Sequence, residues 1–372
     1  MYAMFLAEND DGYMPSFSTY ARVFNDMNIA FHRPKKDQCS LCMSFLNGTD
    51  SQKEELKERY TKHIDEKAKV REIKAKCKEV AQREHDVLCA TFDLQQVIHL
   101  PISKENALFY KRRLANYNLT FYNVADGGCD CFTWHEGQSK RGSSEIATAL
   151  YTALKAYDAK GTRVAYLFAD GCPGQNKNSI FPAMMLYLIN NSRNLVELSL
   201  RYFESFHGQN EGDSVHSTMS TALKHAGDVF VPCQLIPIFT LARKKHPYSV
   251  HPLQVEYFWD FKNLSQDFKI LSVRRDSDDK EPVNWTNIME LKVTNDHPST
   301  VFYKNSHKQE TYTSLTLKRQ QADVKKFPLL KLNSGPINIP ASKYEDLISL
   351  VSGNTALVRA DEHKAFYMSL PH

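Results

Sequence analysis

Between residues 87 and 255 short apolar runs alternate with helical ones, and that succession limits the fold more than any other feature. VLCATFDLQQ is an apolar run with one acid inside it, and it predicts a buried strand. KENALFYKRRLANYN predicts a helix. LTFYNVAD predicts a strand ended by Gly127-Gly128, with CDCFTWHE as its hairpin partner. SSEIATALYTALKAYDAKG predicts a helix with a Ser cap and a Gly after its last turn. RVAYLFAD, SIFPAMMLYLINN, VELSLRYFES and NEGDSVHSTMSTALKHAG then read as strand, helix, strand and helix. A hairpin set among alternating strands and helices points to an α/β chain with a mixed sheet covered by helices.

The flanks differ in character, which suggests three stretches: a helical region over 1–86, the core over 87–255 and a smaller α+β region over 256–372. From Asp50 to Asp86 there is no Pro, and Glu58/Lys62, Asp65/Lys69, Glu72/Lys76 and Glu79/Arg83 are acid-to-base pairs at i,i+4. Leu56, His63, Val70 and Cys77 repeat every seven residues between them. The pattern predicts one long, mostly solvated helix with a thin apolar seam. Its charges alternate in sign, whereas a helix that grips nucleic acid needs a basic excess. After residue 255, strand-like pieces occur at EYFWDF, MELKV, TVFYK and YTSLTLKR. A Pro-rich link follows, and then SKYEDLISLVSG, a helix with a Ser cap.

Composition enters through what it excludes. No apolar run approaches the ~20 residues of a membrane span, and MYAMFLAENDDGY has neither the basic nor the apolar region of a signal peptide. A nuclear or cytoplasmic protein is the expectation, with no membrane partner and no small-molecule substrate. The net charge of +4 permits nucleic-acid binding without arguing for it. Eight cysteines in 372 residues are too few for a disulfide scaffold, so paired cysteines read better as metal ligands. Cys39-x2-Cys42 has zinc-knuckle spacing, and His63 is the third candidate ligand. His63 and Cys77 lie fourteen residues apart on one helix, about 21 Å, and cannot share an ion. The fourth ligand is then His32, a more distant residue, or absent, and two free thiols are the alternative. Cys129 and Cys131 alternate on a strand and read as packing residues, as does Cys172.

Acids stand at three unusual places. Asp93 lies in or at the end of the first apolar strand, Asp170 ends another, and Glu211 and Asp213 open a helix after a third. An acid on an apolar strand is costly unless it is paired or binds a cation. Several acids converging on one point would need a divalent metal, and two Mg²⁺ or Mn²⁺ held by carboxylates suit phosphodiester cleavage. Taken singly, each acid could equally be a turn or helix cap.

Strand-Asp93, YLFADGCPGQNKNSIF and FESFHGQNEGDSVHSTM together resemble the core of DDE-type transposases with an RNase H-like fold. More narrowly they resemble a transposase-like domain family common in animal genomes. FHRPKKDQCSLC and TWHEGQSKRGSSEI resemble further segments of that family, so the likeness spans roughly residues 15–372. The resemblance implies metal-dependent DNA cleavage and strand transfer, with Asp93 and Asp170 as the first two ligands. Asp213 is the choice for the third, with Glu211 as rival. It implies that His207 and His216 orient the third acid or carry a proton. Gln175, Asn176 and Asn178 would brace the backbone there or touch a phosphate. DNA is the implied partner, with Lys111-Arg112-Arg113 and Arg243-Lys244-Lys245 as candidate contacts and a homodimer as a further expectation. Where the family has Gly-His-Thr this chain has Phe206-His207-Gly208, and the Glu expected four residues after His216 is Ser220. A domesticated, catalytically inactive transposase serving as a nucleic-acid- or protein-binding module is therefore the alternative.

Overall fold

Strand β1 (Val87–Leu94) sorts its side chains by parity. Leu88, Ala90 and Phe92 join the largest apolar cluster on one face of the sheet, and Cys89 joins a second cluster on the other. Asp93 shares the parity of Cys89. Strand β5 (Val164–Ala169) repeats the scheme, with Ala165, Leu167 and Ala169 on the first face and Phe168 on the second. Asp170 is the next residue of the Phe168 set. The computed structural model describes residues 2–8, 12, 14–27, 39–205, 207–208, 210–276, 280–318, 323–353 and 356–372.

β1 lies at the centre of a mixed ten-stranded sheet. On one side it pairs antiparallel with β3 (Leu114–Asn123), which carries β4 (Cys129–His135) as its hairpin partner and β2 (Ile98–Leu100) at its start. β7 (Ser249–Pro252) runs parallel to β4 at that edge. On the other side β1 pairs parallel with β5, and β5 with β6 (Glu197–Tyr202). β8 (Glu290–Thr294), β9 (Thr300–Lys304) and β10 (Thr313–Thr316) follow, all antiparallel.

Helices cover both faces. The short helices α1 (Tyr2–Glu8) and α2 (Phe17–Asp26) precede α3 (Ser40–Asn47), and α3 packs on α4 (Asp50–Arg83) with Phe45 stacked on Tyr60 at 3.8 Å. α5 (Ser143–Ala159) and α6 (Ile180–Asn190) bury Ile146, Leu150, Met184 and Leu188 in the largest cluster. α7 (Glu211–His225) and α8 (Leu235–Leu241) supply Val215, Met219 and Phe239 on the opposite face, where α4 also packs through Val70 and Cys77. Among the described residues no helix is long and apolar enough to cross a membrane.

The structure departs from the sequence expectations in five respects. KENALFYKRRLANYN makes only a 3-10 turn over Asn106–Tyr110, and from Leu114 it is already β3, because β2 and β4 offer ladder partners on both sides. EYFWDF is not a strand: its end opens α9 (Phe261–Asp267), capped by the Asp260 side chain accepting from Asn263 N at 2.9 Å. The sheet does not stop at residue 255, since β8 extends it from β6. The caps of α5 and of α10 (Ala341–Val351) are Gly142 and Pro340, not serines. A last helix, α11 (Asp361–Met368), has no counterpart in the sequence reading.

Candidate functional site

The register of the sheet brings the acids together. β1 and β5 run parallel with Thr91 opposite Phe168, so two residues further Asp93 stands beside Asp170. Asp93 also faces Thr120 across the antiparallel pair with β3. Both grip His216, whose Nδ1 lies 3.5 Å from Asp93 Oδ2 and whose Nε2 lies 2.9 Å from Thr120 Oγ1. Burial pushes His216 down to about 4, so its ring is neutral near pH 7.

The N-terminus of α7 closes the third side. Asn210 caps it by accepting from Gly212 N at 2.7 Å, and Asp213 Oδ2 accepts from Asn210 N at 2.8 Å. Two glycines make the approach possible. A Cβ on Gly212 would come within 2.9 Å of Asp93 Cβ, and a Cβ on Gly208 would fall on the Asp170 carboxylate. Burial first, then the charges of Asp170 and Asp213, push Asp93 up to about 7. Burial and the charge of Asp213 raise Asp170 likewise. Among the described residues no Lys or Arg pairs with any of the three. Such a set of hard oxygen donors, crowded and uncompensated, fits a divalent cation.

Glu211 belongs elsewhere. Its carboxylate accepts from Lys74 Nζ of α4 at 2.5 Å and from Thr91 Oγ1 at 3.4 Å. The Asp213 alternative therefore has the better geometry. A cleft of about 440 Å³ opens in front, lined by Asp93, Gln95, Asp213, His216 and Ser220. Ser220 sits one turn beyond His216 on the same face of α7.

Asn176 braces the Asp170 turn. Its Nδ2 donates to Asp170 O at 2.8 Å, its Oδ1 accepts from Cys172 N at 3.0 Å, and its carbonyl accepts from Tyr202 OH at 2.6 Å. Asn178 donates to Ser143 Oγ and Pro173 O, and Gln175 N donates to Cys172 O at 3.0 Å. Of the two basic clusters, Lys111 and Arg112 pair with Asp346 of α10, and Arg113 donates to Pro101 O. Arg243 donates to Gly127 O and stacks on Tyr248, while Lys244 and Lys245 are exposed. Cys129 and Cys131 are buried with sulfurs 3.7 Å apart, as packing residues.

His207 leaves the acids. Its Nε2 points to Cys42 Sγ at 3.3 Å, and His63 Nε2 points to Cys39 Sγ at 3.4 Å. The ligand atoms of Cys39, Cys42, His63 and His207 all lie within 4.8 Å of one another, the one such group of three or more among the described residues. The three aspartates are spaced more widely. His32, the candidate fourth ligand, lies outside the described residues. The sequence reading missed His207 in this role, along with Glu204, which accepts from His63 Nδ1 at 2.9 Å, and Lys74. Its proximity to Glu211 and Asp213 in sequence concealed a partner 165 residues away. Compared with protein-family models, with curated proteins and with solved structures, the chain matches none.

Proposed function

We infer that this chain is a transposase-derived protein with an RNase H-like core, built for metal-dependent cleavage and transfer of DNA strands in the nucleus. The observation that carries the reading is the convergence of Asp93, Asp170 and Asp213 without a basic partner, at the ends of adjacent strands and the start of the helix after β6. The strand order β4-β3-β1-β5-β6, three antiparallel strands followed by two parallel ones, supports it. Mg²⁺ or Mn²⁺ held there would supply Lewis-acid stabilisation and an activated water. The chain's own residues do the rest. Thr120 and the neutral His216 fix the orientation of Asp93, Asn176 fixes the Asp170 turn, and the cleft beside α7 opens onto Asp93 and Asp213.

The test is nicking of DNA by the purified protein with Mg²⁺ or Mn²⁺. Asp93→Asn and Asp170→Asn are expected to abolish it while leaving DNA binding, which comes from Lys and Arg on phosphates, largely intact. Asp213→Asn should abolish it and Glu211→Gln should not. Unchanged cleavage in Asp93→Asn would sink the reading. Ser220 in the cleft favours one alternative, a core that keeps its fold and DNA grip without catalysis. An inactive parent that Ser220→Glu restores would assign the loss to that position. If restoration also fails, the chain is a binding module.

A further inference from the structure

The geometry points to a structural zinc ion held by Cys39, Cys42, His63 and His207, which ties the N-terminal helices to the loop between β6 and α7. This site is separate from the three aspartates and does not depend on their role. Its donors come from three places in the chain. Cys39 is the N-cap of α3 and Cys42 lies one turn in, so both thiols face the same way. His63 arrives from α4 and His207 from the core loop. A tetrahedral ion with Zn–S of about 2.3 Å and Zn–N of about 2.0–2.1 Å sets each S···N edge near 3.5 Å. The Cys39 Sγ–His63 Nε2 and Cys42 Sγ–His207 Nε2 separations, 3.4 and 3.3 Å, are close to it. Two thiolates with two imidazoles select zinc over the hard cations that carboxylates take.

A rival chemistry uses part of the same set. Cys39, His63 and Glu204 line up as a nucleophile, a base and its orienting acid, at 3.4 and 2.9 Å. Burial decides against it, because Cys39 is only 4% exposed and no substrate could reach its sulfur. That arrangement also leaves Cys42 and His207 without a purpose. In a zinc site all four have one, and Glu204 becomes the carboxylate that holds the His63 ring in place through Nδ1.

The position of His207 gives the tie its consequence. The next residue, Gly208, lies against the Asp170 carboxylate, and Asn210 two further on caps α7. Zinc would therefore hold this loop from the N-terminal side, beside the ion pair and hydrogen bonds that Asp65 and Glu66 of α4 make to the β9–β10 loop.

The chain of residues 1–372, purified without chelator, is expected to carry about one zinc ion. Replacement by Co²⁺ should give the intense visible bands of a tetrahedral site together with thiolate charge transfer. Glu204→Gln should weaken zinc about 10–100-fold with the fold retained. His207→Ala should lose the ion, and His207→Cys should keep it with a cobalt spectrum shifted toward three thiolates. Asp93→Asn should leave the zinc content unchanged. Absence of zinc together with no cobalt spectrum in the parent would overturn the proposal. So would His207→Ala binding zinc as tightly as the parent, or rapid alkylation of Cys39 in the native protein.

Discussion

At His135 the fold depends on one absent proton. The ring is 9% exposed, and its Nδ1 accepts from Gly137 N at 3.2 Å, so the single ring proton sits on Nε2. Burial pushes the group down to about 4. The unfolded chain takes up this proton near pH 6.5, the folded chain only near 4, so the unfolded state binds more protons between those values. Stability must then fall as pH drops from about 6.5 to about 4, by about 3 kcal/mol for this residue. His135→Asn keeps an acceptor near the Nδ1 position and cannot be charged. Whatever it costs at pH 7, it should flatten the decline in urea midpoint between pH 6.5 and 4 relative to the parent. An equal slope in both proteins would show that His135 is not the group responsible.

At the scale of elements, α4 separates what a sequence shows from what it hides. The heptad spacing marked Leu56, His63, Val70 and Cys77 as the buried seam; the last three are buried and Leu56 is only half-buried. It did not mark Glu66, which is 5% exposed and accepts from Ser306 Oγ and from His307 N at 2.8 Å. Its partners lie 240 residues away in the β9–β10 loop, and no local pattern can announce them. The same limit explains the other omissions. β1, β5, α5, α6 and α7 were legible because apolar parity and helical spacing are local. The joining of β8 to β6 and the turn of His207 toward Cys42 are not. Neighbouring acids on α4 turn this into a measurement. Asp65 pairs with Lys308 in the open, both more than 40% exposed, and Asp65→Ala should change stability by no more than about 0.5 kcal/mol. Glu66→Ala leaves the buried His307 N–H unpaired and takes the acceptor from the Ser306 hydroxyl, and should cost about 1–3 kcal/mol. Denaturant midpoints that rank the two in the opposite order would refute the assignment of α4 as part of the core.

For the whole molecule the question is whether the strands after residue 255 belong to the core or are attached to it. Leu291, Val293, Val301, Tyr303 and Leu315 are each at most 2% exposed and share one cluster with Leu88, Phe92 and Leu200. Burying five such side chains contributes about 8–15 kcal/mol, as much as the whole stability of an ordinary domain. Glu290 adds a second tie. It accepts from Arg201 Nη2 of β6 at 2.6 Å, with both side chains no more than 10% exposed. Removing it would leave a buried guanidinium uncompensated, at a cost of about 3–5 kcal/mol. Loss of β8 would also leave β6 as an unpaired edge, which favours aggregation. A chain ending at residue 287 is therefore expected to be insoluble or to lack cooperative thermal unfolding, while the full chain melts its sheet in one transition. A soluble truncated chain with a melting temperature near that of the parent would make β8–β10 an appendage. The sheet from β4 to β6 would then be the smallest unit able to bring Asp93 and Asp170 together.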